Sequence, residues 1–177
     1  MKRSMARFDI VGQLGSLRRY ARSLTRDSAD AEDLVHDALL RAYERRGTFR
    51  AGGNLRAWLF SIMHNAFIDK LRSRRSEAAR IEQAAHLSDP SVPASQDHSV
   101  RLAQVRDAFL SLPEEQRSAL HLVAIEGLSY AQAAEIAGVP LGTLMSRIGR
   151  ARAALRQMED GAPARGNNHL RIVGGEP

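Results

Sequence analysis

The chain has 177 residues, a formal net charge of +6 and no cysteine. Its length fits one ordinary domain or two small ones and excludes a large catalytic barrel. The absence of cysteine excludes disulfides, thiolate metal sites and a cysteine nucleophile. The apolar fraction of 44% and the charged fraction of 26% are typical of a soluble globular protein, and the basic balance predicts a polyanionic partner. No apolar run has the length of a signal peptide core or a membrane span, so we expect a cytoplasmic protein.

Two amphipathic helices are predicted first. Apolar residues recur at steps of three and four over 11–25. Asp27 or Ser28 is then placed to cap a second helix. One apolar stripe of that helix is predicted to face inward, and it consists of Ala31, Leu34, Val35, Ala38, Leu39, Ala42 and Tyr43.

A third helix is predicted after the loop 47–53, where two adjacent glycines favour a turn. Asn54 is its predicted N-cap, and a basic run marks its predicted end. That run consists of Lys70, Arg72, Arg74 and Arg75. Residues 76–99 include two prolines and predict a flexible linker between two small helical domains.

Helical periodicity resumes at Val100, with Leu102, Val105, Phe109 and Leu110 as its apolar residues. Pro113 suits the first position of the next helix, and Gly127 suits its end. The apolar residues of this helix are Leu120, Leu122, Val123 and Ile125. The tail 159–177 is rich in Gly, Pro and Asn and is predicted to be disordered.

The segment between these regions predicts a helix-turn-helix. Ser129 and Gln132 have the spacing of a capping box, and Gly138 and Pro140 bound a tight turn. A basic amphipathic helix follows over 141–158, with four arginines and no acidic residue up to position 157. The second helix of such a motif enters a major groove. A merely solvated face is the alternative for each arginine.

Five carboxylates cluster at Asp27, Asp30, Glu32, Asp33 and Asp37. Helix capping and solvation explain the first four, whereas Asp37 lies beyond the first turn and favours a basic protein partner. No nucleophile or phosphate-binding loop accompanies them, so we expect no enzymatic activity. The six histidines show no metal-ligand spacing, and we expect no metal or cofactor.

Trp58 is predicted to lie in the core, because aromatic residues at helical spacing are more often core than ligand contacts. Asn65 lies on the same helix as the basic run and follows a loop that carries Arg50. This combination favours a cleft for an unstacked nucleic-acid base.

Five segments together resemble one family: DAEDLVHD at 30–37, NLRAWLF at 54–60, LPEEQR at 112–117, GLSYAQAA at 127–134 and GTLMSRIGRAR at 142–152. Over roughly 14–156 the chain resembles an extracytoplasmic-function (group four) bacterial RNA polymerase sigma factor. The resemblance implies an all-α fold of two small helical domains joined by a flexible linker. It implies a region-two domain at 10–75, a linker at 76–99, a region-four helix-turn-helix domain at 100–158 and a tail at 159–177.

The resemblance also implies partners. Region two of the family binds the clamp helices of the polymerase beta-prime subunit and melts the minus-ten promoter element. Region four reads the minus-thirty-five element and touches the beta flap. By motif position, the polymerase-binding residues are Asp33, His36 and Asp37. The implied minus-ten contacts are Phe49, Arg50, Asn54, Asn65, Lys70 and Arg72, and the implied minus-thirty-five contacts are Thr143, Ser146, Arg147 and Arg150.

Two residues depart from the family pattern. Met145 stands where the family usually has Lys or Arg, and His36 stands where it usually has Gln. A sigma mimic, which titrates an anti-sigma factor without binding promoters, is therefore an alternative. Such a mimic would not need Asn65 or the basic run, so the sigma factor is favoured. An anti-sigma factor that clamps the two domains is an expected partner. An ordinary two-domain regulator is disfavoured, because no segment resembles an effector pocket or a dimerisation heptad.

Overall fold

The computed structural model describes residues 9–50, 52–81 and 100–160, which form seven α-helices and no strand. The helices are α1 (Leu14–Thr25), α2 (Ser28–Glu44), α3 (Leu55–Ile81), α4 (Val100–Ser111), α5 (Glu114–Leu120), α6 (Tyr130–Ala137) and α7 (Leu141–Asp160). Short 3₁₀-helices occupy Val11–Gln13 and Arg46–Thr48, and a short π-helix occupies His121–Ile125. The all-α prediction is confirmed. Within the described ranges, no helix is long and apolar enough to cross a membrane.

The first helical unit consists of α1, α2 and α3, which pack against one another. Its centre is formed by the buried side chains of Leu17, Leu34 and Phe60. Asp27 caps α2 by accepting a hydrogen bond of 2.8 Å from the Asp30 amide. Asn54 caps α3 in the same way, with 3.1 Å between its Oδ1 and the Ala57 amide. Both predicted caps are confirmed, because each satisfies an amide that the helix leaves unbonded.

Two expectations for the first half were wrong. Tyr43 was predicted to lie inward, but 61% of it is exposed. It follows Leu34 by nine residues, which is half a turn out of phase at 100° per residue. In addition, α3 does not end at Arg75 but continues to Ile81. Residues 76–80 read Ser-Glu-Ala-Ala-Arg and contain no helix-breaking residue. The remainder of the predicted linker, 82–99, and residues 161–177 of the predicted tail lie outside the described residues.

The second helical unit consists of α4 to α7 and buries Leu122, Leu144 and Ile148. The predicted capping box is confirmed: the Gln132 amide donates to Ser129 Oγ at 3.2 Å, and the Ser129 amide donates to Gln132 Oε1 at 3.1 Å. Gly138 ends α6 with a φ of +63°, a left-handed conformation that glycine adopts without steric cost.

The helix predicted from Val100 is present as α4. Three apolar residues of the predicted helical pattern in this unit, Leu102, Val105 and Ile125, are 70%, 57% and 49% exposed. Helix α4 packs against α7 near its C-terminal end, where Ser111 contacts Met158. The side chains of its first turns are therefore left largely exposed to solvent. Pro113 is the residue before α5, where its carbonyl accepts from the amides at 116 and 117, and is not the first helical residue.

The two units pack against each other, α1 on α5 and α3 on α6, and their buried apolar residues form one continuous cluster. Arg117 of α5 lies at the centre of this contact and is 1% exposed. Its guanidinium donates to the carbonyls of Ser23 and Leu24 in the last turn of α1, with 3.2 Å to Leu24, and to the carbonyl of Leu112 at 2.5 Å. These carbonyls are acceptors that a helix end cannot satisfy by itself.

A second polar group joins the units beside Arg117. The hydroxyl of Tyr20 lies 2.8 Å from Ser118 Oγ and 2.9 Å from His64 Nδ1. Burial raises the pKa of Tyr20, and burial lowers the pKa of His64 to about 4. His121 is also buried, and its pKa falls to about 3. Both histidines are therefore neutral in the folded protein at pH 7.

We predict that Arg117→Met destabilises the protein by about 3 kcal/mol or more, because it leaves several buried carbonyls without a donor. The free energy of unfolding from urea titration measures the effect. Arg106→Met is the matched control, since Arg106 is half exposed on α4 and its removal should change stability by about 0.5 kcal/mol or less. Equal losses for the two variants would contradict the role of Arg117.

We also predict that stability falls as the pH is lowered from 7 to 5. An unfolded histidine has a pKa of about 6.5, above the folded values of His64 and His121, so the unfolded chain binds more protons in this range. The expected loss at pH 5 is about 2 kcal/mol for each histidine. His121→Asn should reduce the difference between the two pH values, whereas replacing the exposed His36 by Asn should leave it unchanged. A pH dependence that survives His121→Asn undiminished would refute this.

Candidate nucleic-acid interface

One face of α2 carries acidic and apolar side chains together. Asp33 and His36 are exposed, and Asp37 is partly exposed. Leu40 and Tyr43 continue this face toward the end of the helix and are 54% and 61% exposed. Steps of three and four residues place all five on one side. We call these five residues the α2 surface. A large exposed apolar pair beside carboxylates is typical of a protein interaction site.

Arg41 holds the α2 surface in place from the side. Its Nε donates to Asp37 at 3.1 Å, and its Nη1 donates to Asp69 of α3 at 2.8 Å. These two carboxylates raise the pKa of Arg41. Asp37 thus already has a basic partner inside the protein, which weakens the expectation that it needs one from outside.

The loop before α3 is held tightly. The Gly53 amide donates to the Arg50 carbonyl at 2.9 Å. A Cβ at Gly53 would lie 3.1 Å from that oxygen and 3.5 Å from the ring of Phe49, so only glycine fits without displacement. The Phe49 ring lies 5.4 Å from the ring of Trp58, centroid to centroid. Arg50 is exposed, whereas the side-chain oxygen of Asn54 is already used as the helix cap.

The implied DNA-binding positions on α3, which are Asn65, Lys70 and Arg72, do not all share one face. Trp58, Asn65 and Arg72 are spaced by seven residues, so they follow one line along the helix about 10.5 Å apart. Asn65 and Arg72 are exposed. We call Trp58, Asn65 and Arg72 the α3 line. Lys70 instead lines a cleft of about 270 Å³ between the two units.

That cleft has a basic wall. Lys70, Arg74 and Arg75 of α3 line it together with Glu114 and Arg117 of α5. Arg74 is bound to Asp30 at 2.8 Å, and this contact lowers the pKa of Asp30. Burial raises the pKa of Glu114. The basic run predicted from sequence is therefore divided between the cleft and the exposed side of α3.

The outer face of α7 carries two hydroxyl side chains, one methionine and one arginine. Thr143, Met145, Ser146 and Arg150 are exposed, and Arg150 Nη2 donates to Ser146 Oγ at 3.0 Å. We call these four residues the α7 face. Met145 is 55% exposed, and at 100° per residue it lies at the edge of this face, which it makes less polar than the family pattern implied.

Arg147 does not lie openly on the α7 face. Its side chain is only 20% exposed and pairs with Glu115 of α5, with 2.9 Å between Nη2 and Oε2. It also lies near enough to the first unit for its charge to help lower the pKa of His64. Arg147 is thus turned away from Ser146 and Arg150, because a single helical step of 100° directs it toward α5. Its role in DNA binding stays a prediction.

A buried carboxylate is the main polar feature that sequence patterns missed. The side chain of Glu126 has no exposure and accepts from Arg19 at 3.3 Å, from Arg56 and from His121 at 3.2 Å. Arg19 and Arg56 belong to the first unit and are 107 and 70 residues away in sequence. No local pattern relates residues at such separations. Among the described residues, no group of His, Asp and Glu has the arrangement of a metal site.

Comparison with known proteins assigns both helical units. The family model described as Sigma-70 region 2 matches residues 11–77, and the model described as Sigma-70, region 4 matches residues 102–155. The ECF RNA polymerase sigma factor EcfG of Rhodopseudomonas palustris is 40% identical over 149 residues, which cover 84% of this chain and 82% of that protein.

Solved structures have the same fold. The sigma factor RpoE of Bartonella quintana, in complex with the anti-sigma factor NepR, is 34% identical with a TM-score of 0.74 and covers 86% of this chain and 95% of its own. The anti-anti-sigma factor PhyR of the same organism, in complex with NepR, is 18% identical with a TM-score of 0.53 over 84% of this chain and 48% of that chain. The second likeness shows a shared fold only.

Proposed function

We propose, since the chain belongs to the family of extracytoplasmic-function RNA polymerase sigma factors, that its three exposed surfaces bind core polymerase, the minus-ten element and the minus-thirty-five element. The observation that carries this assignment is that the fold leaves Asn65, Arg72, Ser146 and Arg150 exposed in both units. These are side chains that hydrogen-bond to bases or pair with phosphates. The mechanism is recruitment, without covalent chemistry.

The α2 surface binds the beta-prime clamp helices in this proposal. Asp33 and His36 supply polar contacts, and Leu40 and Tyr43 supply the apolar area that the interface buries. Aromatic residues at the centre of an interface contribute most of the binding energy. The beta flap is the second proposed polymerase contact, made by the region-four unit.

The loop 49–54 and the α3 line bind the melted minus-ten strand. A base that leaves the duplex loses its stacking and pairing, so the protein must replace both. The Phe49 and Trp58 pair provides an aromatic wall, Asn65 provides an amide for a base edge, and Arg72 provides a charge for phosphate. Arg50 and Lys70 are further phosphate contacts, and Asn54 contributes by fixing the loop.

The α7 face enters the major groove at the minus-thirty-five element. Arg150 can form a fork to a guanine edge or pair with a phosphate, and Thr143 and Ser146 can bond to either. Met145 supplies an apolar contact where the family usually has a cation. Arg147 joins this face only if it leaves Glu115.

Regulation by an anti-sigma factor is proposed from the family and from the likeness to RpoE, which was solved with one. A cytoplasmic location follows from the proposed partners, since polymerase and promoter DNA are there. The expectation of no enzymatic activity stays a prediction.

A sigma mimic is the second candidate. The observation that favours it is the pairing of Arg147 with Glu115, which removes one cation from the α7 face. A mimic would bind the anti-sigma factor and leave promoters untouched.

Reconstituted transcription decides between the two candidates. We expect core polymerase with this protein to initiate at the promoters whose transcripts rise when the protein is overexpressed. Asn65→Ala should reduce open-complex formation, detected by permanganate reactivity of unpaired thymines. Failure on every such promoter, with tight binding to an anti-sigma factor retained, would favour the mimic.

For the α7 face, we predict that Arg150→Ala weakens binding to minus-thirty-five DNA and reduces the slope of log K against log salt by about 0.9 if the lost contact is to a phosphate. If the contact is to a base, the loss is about 1 to 3 kcal/mol on the cognate sequence and absent on a mutated one. Arg106→Ala, on α4, is the control. An Arg150→Ala protein that binds as the wild type does would refute the assignment.

For the α2 surface, we predict that Leu40→Ser with Tyr43→Ser reduces affinity for core polymerase at least tenfold, about 1.4 kcal/mol, because the interface loses apolar area. The folded protein should keep its stability, since both side chains are more than half exposed. Glu32→Ala is the matched control, because Glu32 lies in the same helix but faces Arg18 of α1. Wild-type affinity in the double variant would exclude this surface.

A further inference from the structure

The cleft beside the C-terminal half of α3 is lined by more positive than negative charge. Its two carboxylates are Asp30 and Glu114, and its five cations are Arg26, Lys70, Arg74, Arg75 and Arg117. We call this site the basic cleft. Its volume of about 270 Å³ is close to the lower limit of about 300 Å³ for small-molecule sites, so it suits a ligand of modest size.

Two of the five cations are left for a ligand. Arg74 is bound by the carboxylate at the start of α2, and Arg26 and Arg117 donate to backbone carbonyls. Lys70 and Arg75 form no ion pair with any other described residue. Burial lowers the pKa of Arg117, and the charge of Arg26 lowers it further, so the cations of the cleft repel one another. A bound anion would relieve this repulsion.

Helix α3 supplies one continuous stripe to the basic cleft, which consists of Phe67, Lys70, Leu71, Arg74 and Arg75. Steps of three and four residues place these side chains on one side of the helix. Lys70 and Arg74 are each two residues from Arg72, which is a rotation of about 200° around the helix axis. The basic cleft is therefore a different surface from the α3 line.

The basic cleft also offers an aromatic ring and a carboxylate. Phe67 is half-buried and makes no ring contact with another described aromatic side chain, and aromatic rings stack with bases of any kind. Glu114 lies on the α5 side and receives no hydrogen bond from a described residue. Burial raises its pKa in spite of the arginines nearby. A carboxylate in such a site can accept hydrogen bonds from ribose hydroxyls.

We propose that the basic cleft binds a small ribonucleotide. Lys70 and Arg75 hold its phosphate, its base stacks on Phe67, and its ribose hydroxyls donate to Glu114. Arg75 follows Phe67 by eight residues, about 12 Å along the helix axis, which leaves room for a ribose between the base and the phosphate. The site does not rest on the proposed function, because binding needs neither polymerase nor promoter DNA.

The first test compares ligands on the full-length protein by isothermal titration calorimetry, with AMP as the probe. We expect saturable binding with a Kd of about 1 mM or lower. Adenosine lacks the phosphate, inorganic phosphate lacks the base and the sugar, and dAMP lacks the 2′-hydroxyl. Each of these compounds loses at least one contact, so each should bind about fivefold more weakly or worse. The dAMP arm separates a free ribonucleotide from a nucleotide of a DNA strand.

The second test locates the phosphate. Arg75→Gln should raise the Kd for AMP about tenfold or more, because it removes a charge-assisted contact. Arg75 is exposed, so the variant should keep its fold. Arg72→Gln is the matched control for AMP binding, since Arg72 is another exposed arginine of α3 that does not line the cleft. It should leave the Kd for AMP unchanged.

The third test addresses the ribose. Glu114→Ala should bring the Kd values of AMP and dAMP together, because it removes the acceptor of the 2′-hydroxyl. Glu115→Ala is the matched control, since Glu115 is the next residue but pairs with Arg147 outside the cleft. It should keep the preference for AMP. A preference for AMP that survives Glu114→Ala would contradict the ribose contact. Circular dichroism checks that both variants keep their helices.

Several results would overturn the proposal: no saturable binding of AMP, binding of AMP no tighter than that of inorganic phosphate, equal affinity for AMP and dAMP in the wild type, or equal losses in the Arg72 and Arg75 variants. A protein that binds AMP as expected and yet initiates at no promoter would refute the proposed function alone.

Discussion

The guanidinium of Arg117 satisfies the ends of two helices at once. The last carbonyls of α1 and the carbonyl that follows α4 receive no hydrogen bond from amides of their own helices, and all of them are buried. A cation at a helix C-terminus is also favoured by the helix dipole. Burial lowers the pKa of Arg117 to about 10, which still leaves it charged at pH 7. Arg117 therefore links α1, the end of α4 and α5, and Arg26 supports this link because its Nη2 also donates to the Leu112 carbonyl, at 2.9 Å.

Around Arg117, the contact between the units is polar as well as apolar. Tyr20, Ser118 and His64 share one chain of hydrogen bonds, and Glu126 is bound by residues of both units. Such a network is stable only when every member has its partner, because an unpaired buried charge costs several kcal/mol. A contact of this kind therefore favours one arrangement of the two units.

The proposed binding surfaces consist of side chains on the helix faces that the core does not bury. The α2 surface, the α3 line and the α7 face all lie on helix sides opposite to buried residues such as Leu34, Met63 and Leu144. A helix that buries one stripe must expose the other, so the same periodicity that builds the core presents these side chains. Arg147 is the exception, because it follows the exposed Ser146 by one residue and is turned toward Glu115.

The sequence by itself determined the helices, their caps and the exposed stripes, since these depend on residues three or four apart: Asp27, Asn54 and the Ser129 capping box all act as predicted. It also identified the family through five local segments. Tertiary structure alone decided how the units meet. It buried Arg117 and Glu126, left Leu102 exposed, and divided the basic run of α3 between a cleft and an open face. The physical reason is sequence distance, because the partners of Glu126 lie up to 107 residues away, beyond any periodic pattern.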